Sequence, residues 1–249
     1  MNLDVVDLRS FYADRLGLAT ERAVGQRLRL LWGTAAGQRV LGLGYALPFL
    51  GAFSAAERRL ALMPAAQGVV NWPPDAPNLT ALVIDDTLPL SDAVIDRALV
   101  VHALEAAESP GELLRDVWRV LVPGGRVVLV VANRRGVWAH ADSTPFGVGQ
   151  PFSRGQLSAL LREAMFSPAA WSTALAFLPV RHGLGSAPFW ERVGIRLWPG
   201  FAGALIVEAV KQIHHAVPVR SRLRLPAALG PILAPRPSPQ AQRLRLPTP

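Results

Sequence analysis

No cysteine occurs in the 249 residues, so disulfides, thiolate metal sites and a cysteine nucleophile are excluded together. Lysine is almost as scarce: Lys211 stands alone, and every other cation is arginine. No acid follows Glu208, whereas Lys211, Arg220, Arg222, Arg224, Arg236, Arg243 and Arg245 do. The net charge of +8 therefore belongs to the end of the chain, and the first 208 residues are close to neutral. A near-neutral body speaks against nucleic acid as a partner. No apolar run reaches the ~18 residues of a membrane span. The opening residues, with Asp4, Asp7 and Arg9, read as neither a secretion signal nor a transit peptide. The expectation is a cytoplasmic protein without a membrane span. There is no GxSxG elbow and no Walker loop, and His214 and His215 lack neighbouring carboxylates for a metal set.

What remains is rich in apolar residues, 51% of the chain, enough for a full core in one body. From Pro218 to Pro249 the character changes, with eight prolines in 32 residues and neither acid nor aromatic. Such a segment cannot bury enough apolar surface to offset its ordering entropy. The division is a domain over residues 1–217 and a disordered basic tail over 218–249. Within the tail Arg222-Leu223-Arg224-Leu225-Pro226 recurs as Arg243-Leu244-Arg245-Leu246-Pro247. Two equivalent arginine pairs suit an acidic protein partner or an anionic surface, and a plain solvated tail is the alternative.

The body alternates strands with helices. Val24, Leu28 and Leu31 predict a helix over Glu21–Trp32. Arg39–Leu43, Arg59–Met63, Thr80–Ile84 and Arg97–Val101 read as strands, and the segment from Phe53 to Leu62 also has a helix-like character. Ser109-Pro110-Gly111-Glu112 predicts a capping box before a helix carrying Leu113, Leu114, Val117 and Leu121. Pro123-Gly124-Gly125 stops that helix, and Arg126–Val131 reads as a buried parallel strand. Ser153-Arg154-Gly155-Gln156 predicts a second capping box, and Phe201–Val210 a late strand. Three prolines, Pro73, Pro74 and Pro77, leave no room for a regular helix between the second and third strands. The alternation argues for a doubly wound α/β sheet with ligands at the carboxyl ends of its strands.

The first strand runs through Val40-Leu41-Gly42-Leu43-Gly44-Tyr45-Ala46-Leu47-Pro48, a strand-to-glycine turn of the kind that brings backbone close to a ligand. Further on come Leu88-Pro89-Leu90, Ile95–Leu99, His102–Glu105, and then Leu113-Leu114-Arg115-Asp116-Val117-Trp118-Arg119-Val120-Leu121-Val122-Pro123-Gly124-Gly125-Arg126. In order and spacing this resembles the class I S-adenosylmethionine-dependent methyltransferases of the type 11 group, over roughly residues 35 to 135. The resemblance implies a Rossmann-like, mostly parallel seven-stranded sheet with helices on both faces. It implies S-adenosylmethionine as cofactor and methyl transfer to a small-molecule or protein acceptor that the sequence does not identify.

Carried over position by position, the resemblance places the cofactor at Gly42, Gly44, Tyr45, Ala46, Met63, Asp85 and Asp86. Several of these depart from the family's pattern. Gly42 stands where an acid is expected, and Ala46 and Pro48 replace two glycines. Alanine in a left-handed conformation costs about 1–2 kcal/mol, so this turn must take another shape. The acid that receives the ribose hydroxyls is missing from Leu62-Met63-Pro64-Ala65. Asp85 and Asp86 lie near the position that receives the adenine amino group, and Trp72 could stack on the ring. His102 follows the fourth strand, where a general base would stand. Asn133, Arg134 and Arg135 fall at the same end of the sheet, and Thr144–Phe152 has the composition of a lid. These departures leave a second reading open: a pseudo-methyltransferase that has lost S-adenosylmethionine and serves as a binding or regulatory subunit.

Overall fold

In the computed structural model, which describes residues 3–84, 87–180 and 184–213, seven strands form a single sheet. They are β1 (Arg39–Gly44), β2 (Arg58–Pro64), β3 (Thr80–Val83), β4 (Ile95–Val101), β5 (Leu121–Ala132), β6 (Phe166–Ala174) and β7 (Ala204–Lys211). The order across the sheet is β3-β2-β1-β4-β5-β7-β6, parallel except that β7 runs antiparallel to both β5 and β6. The helices are α1 (Val5–Ala13), α2 (Arg15–Trp32), a single turn α3 (Leu47–Leu50), α4 (Pro110–Val120), α5 (Arg154–Glu163) and α6 (Ala187–Leu197). This is the doubly wound, mostly parallel architecture that the alternation predicts.

Alternate residues along the central strands enter two separate cores. Val40, Leu99, Val101, Val128, Val130 and Ile206 meet α1, α2 and α3 on one face. Leu41, Leu43, Val100, Val127, Leu129 and Val207 meet α4 and α5 on the other. Glu208 on β7 locks the first layer in place: its carboxylate accepts from Trp32 Nε1 at 3.0 Å and Arg126 Nη1 at 2.9 Å, with Arg97 at 3.5 Å. Lys211 donates through Nζ to the Leu121 carbonyl at 2.6 Å and lies 4.0 Å from the centre of the Trp118 ring. Among the described residues no helix is long and apolar enough to cross a membrane.

Several local expectations need correction. The segment from Phe53 to Leu62 is no helix: after α3 and a 3-10 turn at Gly51–Phe53 it becomes β2, whose apolar half is buried between β1 and β3. Ser109 makes no side-chain cap. Its backbone sits at φ −124°, ψ 78°, whereas Ser153, at φ −89° and ψ 158°, forms the full reciprocal box with Gln156. Leu121 begins β5 instead of ending α4, and the Pro-Gly-Gly stretch bulges out between Leu121, opposite Ile95, and Arg126, opposite Arg97. The N-terminal helix starts at Arg15, six residues earlier than expected, and α1, β6 and α6 come in addition. The late strand begins at Ala204, not Phe201. No helix lies between β2 and β3, as the prolines require. The tail, its repeat and the Val217 boundary fall outside the described residues.

Candidate functional site

The hollow of interest lies where β1, β2 and β4 end, because in a doubly wound sheet ligands gather at the carboxyl ends of the strands. The turn leaving β1 is shaped by packing. Gly44 has φ +74°, and a Cβ there would stand 2.3 Å from the Val101 carbonyl oxygen and 2.9 Å from Ala103 Cβ. A Cβ on Gly42 would meet Leu50 Cδ1 at 2.8 Å and Ala46 Cβ at 2.9 Å. The faces that glycine leaves bare are thus taken by the chain's own atoms. Ala46 adopts a right-handed helical conformation and begins α3, with Pro48 in its first turn, so the turn indeed has another shape.

Aromatic side chains fill the space above this turn. Tyr12 of α1 stacks on Tyr45 with ring centres 5.5 Å apart and meets Phe49 edge-on at 5.9 Å. Tyr45, Ala46 and Leu47 are buried, and Met63 at the end of β2 is fully so. Burial pushes both phenols above their ordinary pKa, and both stay neutral. The Tyr12 hydroxyl bonds His102 Nε2 at 2.9 Å. His102 is completely buried, with φ +54°, and Phe146 packs edge-on against it at 4.7 Å. Gln67, on the loop after β2, donates its side-chain amide to the His102 carbonyl, while the Gln67 carbonyl accepts from Val5 N–H at 2.6 Å. The exit of β2 therefore straps α1 to the end of β4.

Beneath the strap lies a buried polar pocket. Glu105 Oε1 accepts from Ala132 N–H at 2.8 Å and stands 4.0 Å from His102 Nδ1. Glu105 Oε2, His102 Nδ1 and Gln67 Oε1 are buried without partners. Desolvation lowers the His102 pKa to about 3 and raises that of Glu105 to about 7. A neutral imidazole so reluctant to take a proton, and sealed from solvent, is poorly placed as a general base.

The remaining expected residues divide. The structure brings Gly42, Gly44, Tyr45, Ala46, Met63 and His102 into one region, while Asp85 and Asp86 lie outside the described residues. Asn133 is buried and donates to the carbonyls of Gly200 and Ala202, leaving Arg134 and Arg135 exposed. The Thr144–Phe152 segment is tied down, with Gln150 N–H on the Glu105 carbonyl at 3.0 Å, Phe152 N–H on the Ala132 carbonyl at 2.9 Å and Phe146 in the core. It is a packed cover. Trp72 lines an open cavity of about 470 Å³ outside the stack, beside Arg9, Tyr12 and Tyr45, with Arg59 over its ring at 5.4 Å. A second cavity, about 440 Å³, lies between Ala65 and Ala66 after β2, Ile84 and the start of α4.

The motif with the strongest family resemblance has a structural task. Arg119 donates to Asp116 at 2.6 Å, Asp92 at 2.8 Å and the carbonyls of Leu90 and Leu88 at 2.7 and 3.0 Å. Asp116 also accepts from Leu88 N–H. The pair fastens the loop after β3 onto α4.

Residues 35–129 match a family model described as a methyltransferase domain. With the strand order above, the fold is the one seen in class I methyltransferases. No curated protein matches the chain. The domain is similar in fold to an S-adenosylmethionine-dependent methyltransferase of Thermotoga maritima, at 15% identity, covering 84% of this chain and 96% of that one, with a TM-score of 0.55. A methyltransferase of the same description from Mesorhizobium loti gives 18% identity, 74% and 96% coverage and 0.53. A complex between the Trm112 methyltransferase activator and a methyltransferase of Haloferax volcanii gives 18%, 84% and 99%, and 0.55. At these identities the likeness is one of fold. The residues at the ends of β1 and β2 do not fit an adenosyl sulfonium: Tyr12 and Tyr45 stack over the turn, both glycine faces are covered, and β2 ends on Met63 and Pro64 without a carboxylate.

Proposed function

We propose that the methyltransferase domain serves as a binding scaffold rather than a methyl-transfer catalyst. The observation that carries this reading is the buried Tyr12–Tyr45 stack over the β1 turn. Admitting a cofactor there means withdrawing an aromatic pair worth about 0.5–1.5 kcal/mol beyond its area burial, together with the Gln67 strap. Nothing at the end of β2 offers the paired acceptor that a ribose diol would take in exchange. In this reading residues 1–217 form the domain, and 218–249 are a basic arm offered to an anionic partner.

The second reading is a methyltransferase that uses S-adenosylmethionine on an acceptor not yet identified. The family match over residues 35–129 favours it, as does the open cavity at the ends of β2 and β3. It requires α1 to leave the hollow. Isothermal titration of the full chain with S-adenosylmethionine and S-adenosylhomocysteine separates the two. The scaffold reading expects no heat at sub-millimolar concentrations, and binding by the wild type overturns it. Binding by Tyr12→Ala alone would support the scaffold reading, with the Tyr12 ring as the obstacle in the wild type.

A further inference from the structure

The face around α6 is unlike the rest of the surface. Ala187, Glu191 and Gly194 turn inward, and the Glu191 carboxylate is used up on the backbone N–H groups of Leu175 and Ala176 at 3.0 and 2.6 Å. On the outside Phe189, Val193 and Leu197 follow one another at helical spacing beside Trp190, and Arg192 and Arg196 flank them one turn apart. Phe189, Trp190, Leu197, Trp198 and Phe201 are each half exposed or more. Scattered exposed apolar residues are ordinary, but a contiguous aromatic patch marks a place of attachment.

The patch continues into an apolar cavity of about 400 Å³, walled by Phe177, Leu178, Val180, Leu184, Trp190 and Trp198. Its neighbour, about 300 Å³, shares Phe177, Leu184 and Ala187 with it and is lined by Arg22, Arg27 and Arg192 against the one carboxylate of Glu191. Arg27 Nε is buried there without a partner. Aromatic and aliphatic side chains bordered by arginines match the boundary between acyl chains and anionic headgroups, where tryptophan and phenylalanine settle and arginine finds phosphate.

We infer that this face docks on an anionic phospholipid surface, the apolar stripe of α6 lying among the acyl chains and Arg22, Arg27, Arg192 and Arg196 meeting the headgroups. The choice of a membrane rests on charge. The chain beyond Ile213 adds six arginines and no acid, and one lipid-inserting element by itself holds only weakly, whereas an apolar anchor combined with a polybasic segment holds stably. The inference does not depend on whether the β1 hollow admits a cofactor.

Flotation of the full chain with vesicles tests it, using phosphatidylcholine alone and phosphatidylcholine with about one third phosphatidylglycerol. The chain is expected to float with the anionic vesicles, to stay in solution with the neutral ones, and to detach as salt is raised. Phe189→Ser with Leu197→Ser is expected to weaken binding about tenfold or more. So is the change of all six tail arginines to glutamine. Arg192→Gln with Arg196→Gln keeps the apolar stripe and serves if the serine pair fails to fold; it is expected to weaken binding about tenfold at low salt. The inference is overturned if the full chain ignores anionic vesicles, or if the α6 variants bind as the wild type does, since the tail alone would then be responsible. It is also overturned if light scattering shows a dimer that the serine pair dissociates, since a second copy would then cover the face.

Discussion

Two clusters of aromatic residues in this molecule are built alike and treated in opposite ways. Tyr12, Tyr45, Phe49 and Phe146 close over the end of β1, each ring against another and the one hydroxyl within reach of a histidine satisfied by it. Phe189, Trp190, Trp198 and Phe201 gather around α6 with half or more of their surface exposed. The first cluster has found its partner within the chain, at the very place where the fold usually receives a small molecule. In the second, Phe189 and Trp190 meet edge-on at 5.4 Å and the cluster still stays half open or more. On the scaffold reading proposed above, the contrast teaches that a fold's customary site and its site of attachment need not coincide, the customary one being taken by the chain's own Tyr12 and Tyr45.

Stability measurements sharpen the contrast. Phe49→Ala in the closed cluster is expected to cost about 3–5 kcal/mol in denaturant unfolding, and Phe189→Ser in the open one within about 0.5 kcal/mol. Equal losses would mean that the α6 aromatics are core residues after all.

Next in size is the pH dependence contributed by Glu105. In the folded protein this carboxyl keeps its proton to about pH 7, and in the unfolded chain it gives the proton up near 4.5. Between those values the native state binds more protons, so stability falls as pH rises. Glu105→Gln lacks that loss, and from pH 5 to pH 8 it should gain up to about 3 kcal/mol relative to the wild type. His102 works in the opposite sense, its folded pKa near 3 lying below its unfolded value, so it costs stability as pH falls from about 6.5. It does so equally in both proteins. Unfolding curves of the pair at the two pH values check the difference.

Tyr12→Phe removes the hydroxyl opposite His102 Nε2 and leaves that nitrogen buried and unpaired, at an expected cost of about 1–3 kcal/mol. A neutral result would mean that the stack, and not the hydrogen bond, holds α1 in place. Smallest is Arg119→Ala, expected to cost about 1–2 kcal/mol through the freed loop at Leu88–Asp92. Faster amide exchange in that loop, with the β1 hollow unchanged, would identify the motif as structural.

Much of the frame was legible because it rests on local patterns. The apolar run of β5, the helix carrying Leu113, Leu114 and Val117, the Ser153 box and the proline-broken crossover all carry their cause within a few residues. The filling of the hollow was not, because Tyr12 and Tyr45 are 33 positions apart in sequence and meet only once α1 folds back over β1 and β4. A partial signal existed. Asp4 precedes Leu8, Phe11 and Tyr12 at helical spacing, and its carboxylate caps the amides of Val6 and Asp7. The departures at Ala46 and Pro48 announced a different turn without saying what would stand over it. α6 escaped for the converse reason: its large apolar residues Phe189, Trp190 and Leu197 lie on the outer side, while Ala187, Glu191 and Gly194 turn inward, the reverse of the pattern by which a surface helix is recognised.

Lys211 has its own consequence. The sole side-chain amine in the sequence sits under the Trp118 ring with a proton committed to the Leu121 carbonyl. Reagents that seek lysine will find almost nothing on the folded domain, and amine-directed cross-linkers cannot join it to a neighbour through its side chains. Acylation at Lys211 would instead act as a clock for the opening of the sheet around β5 and β7, ticking when those strands come apart.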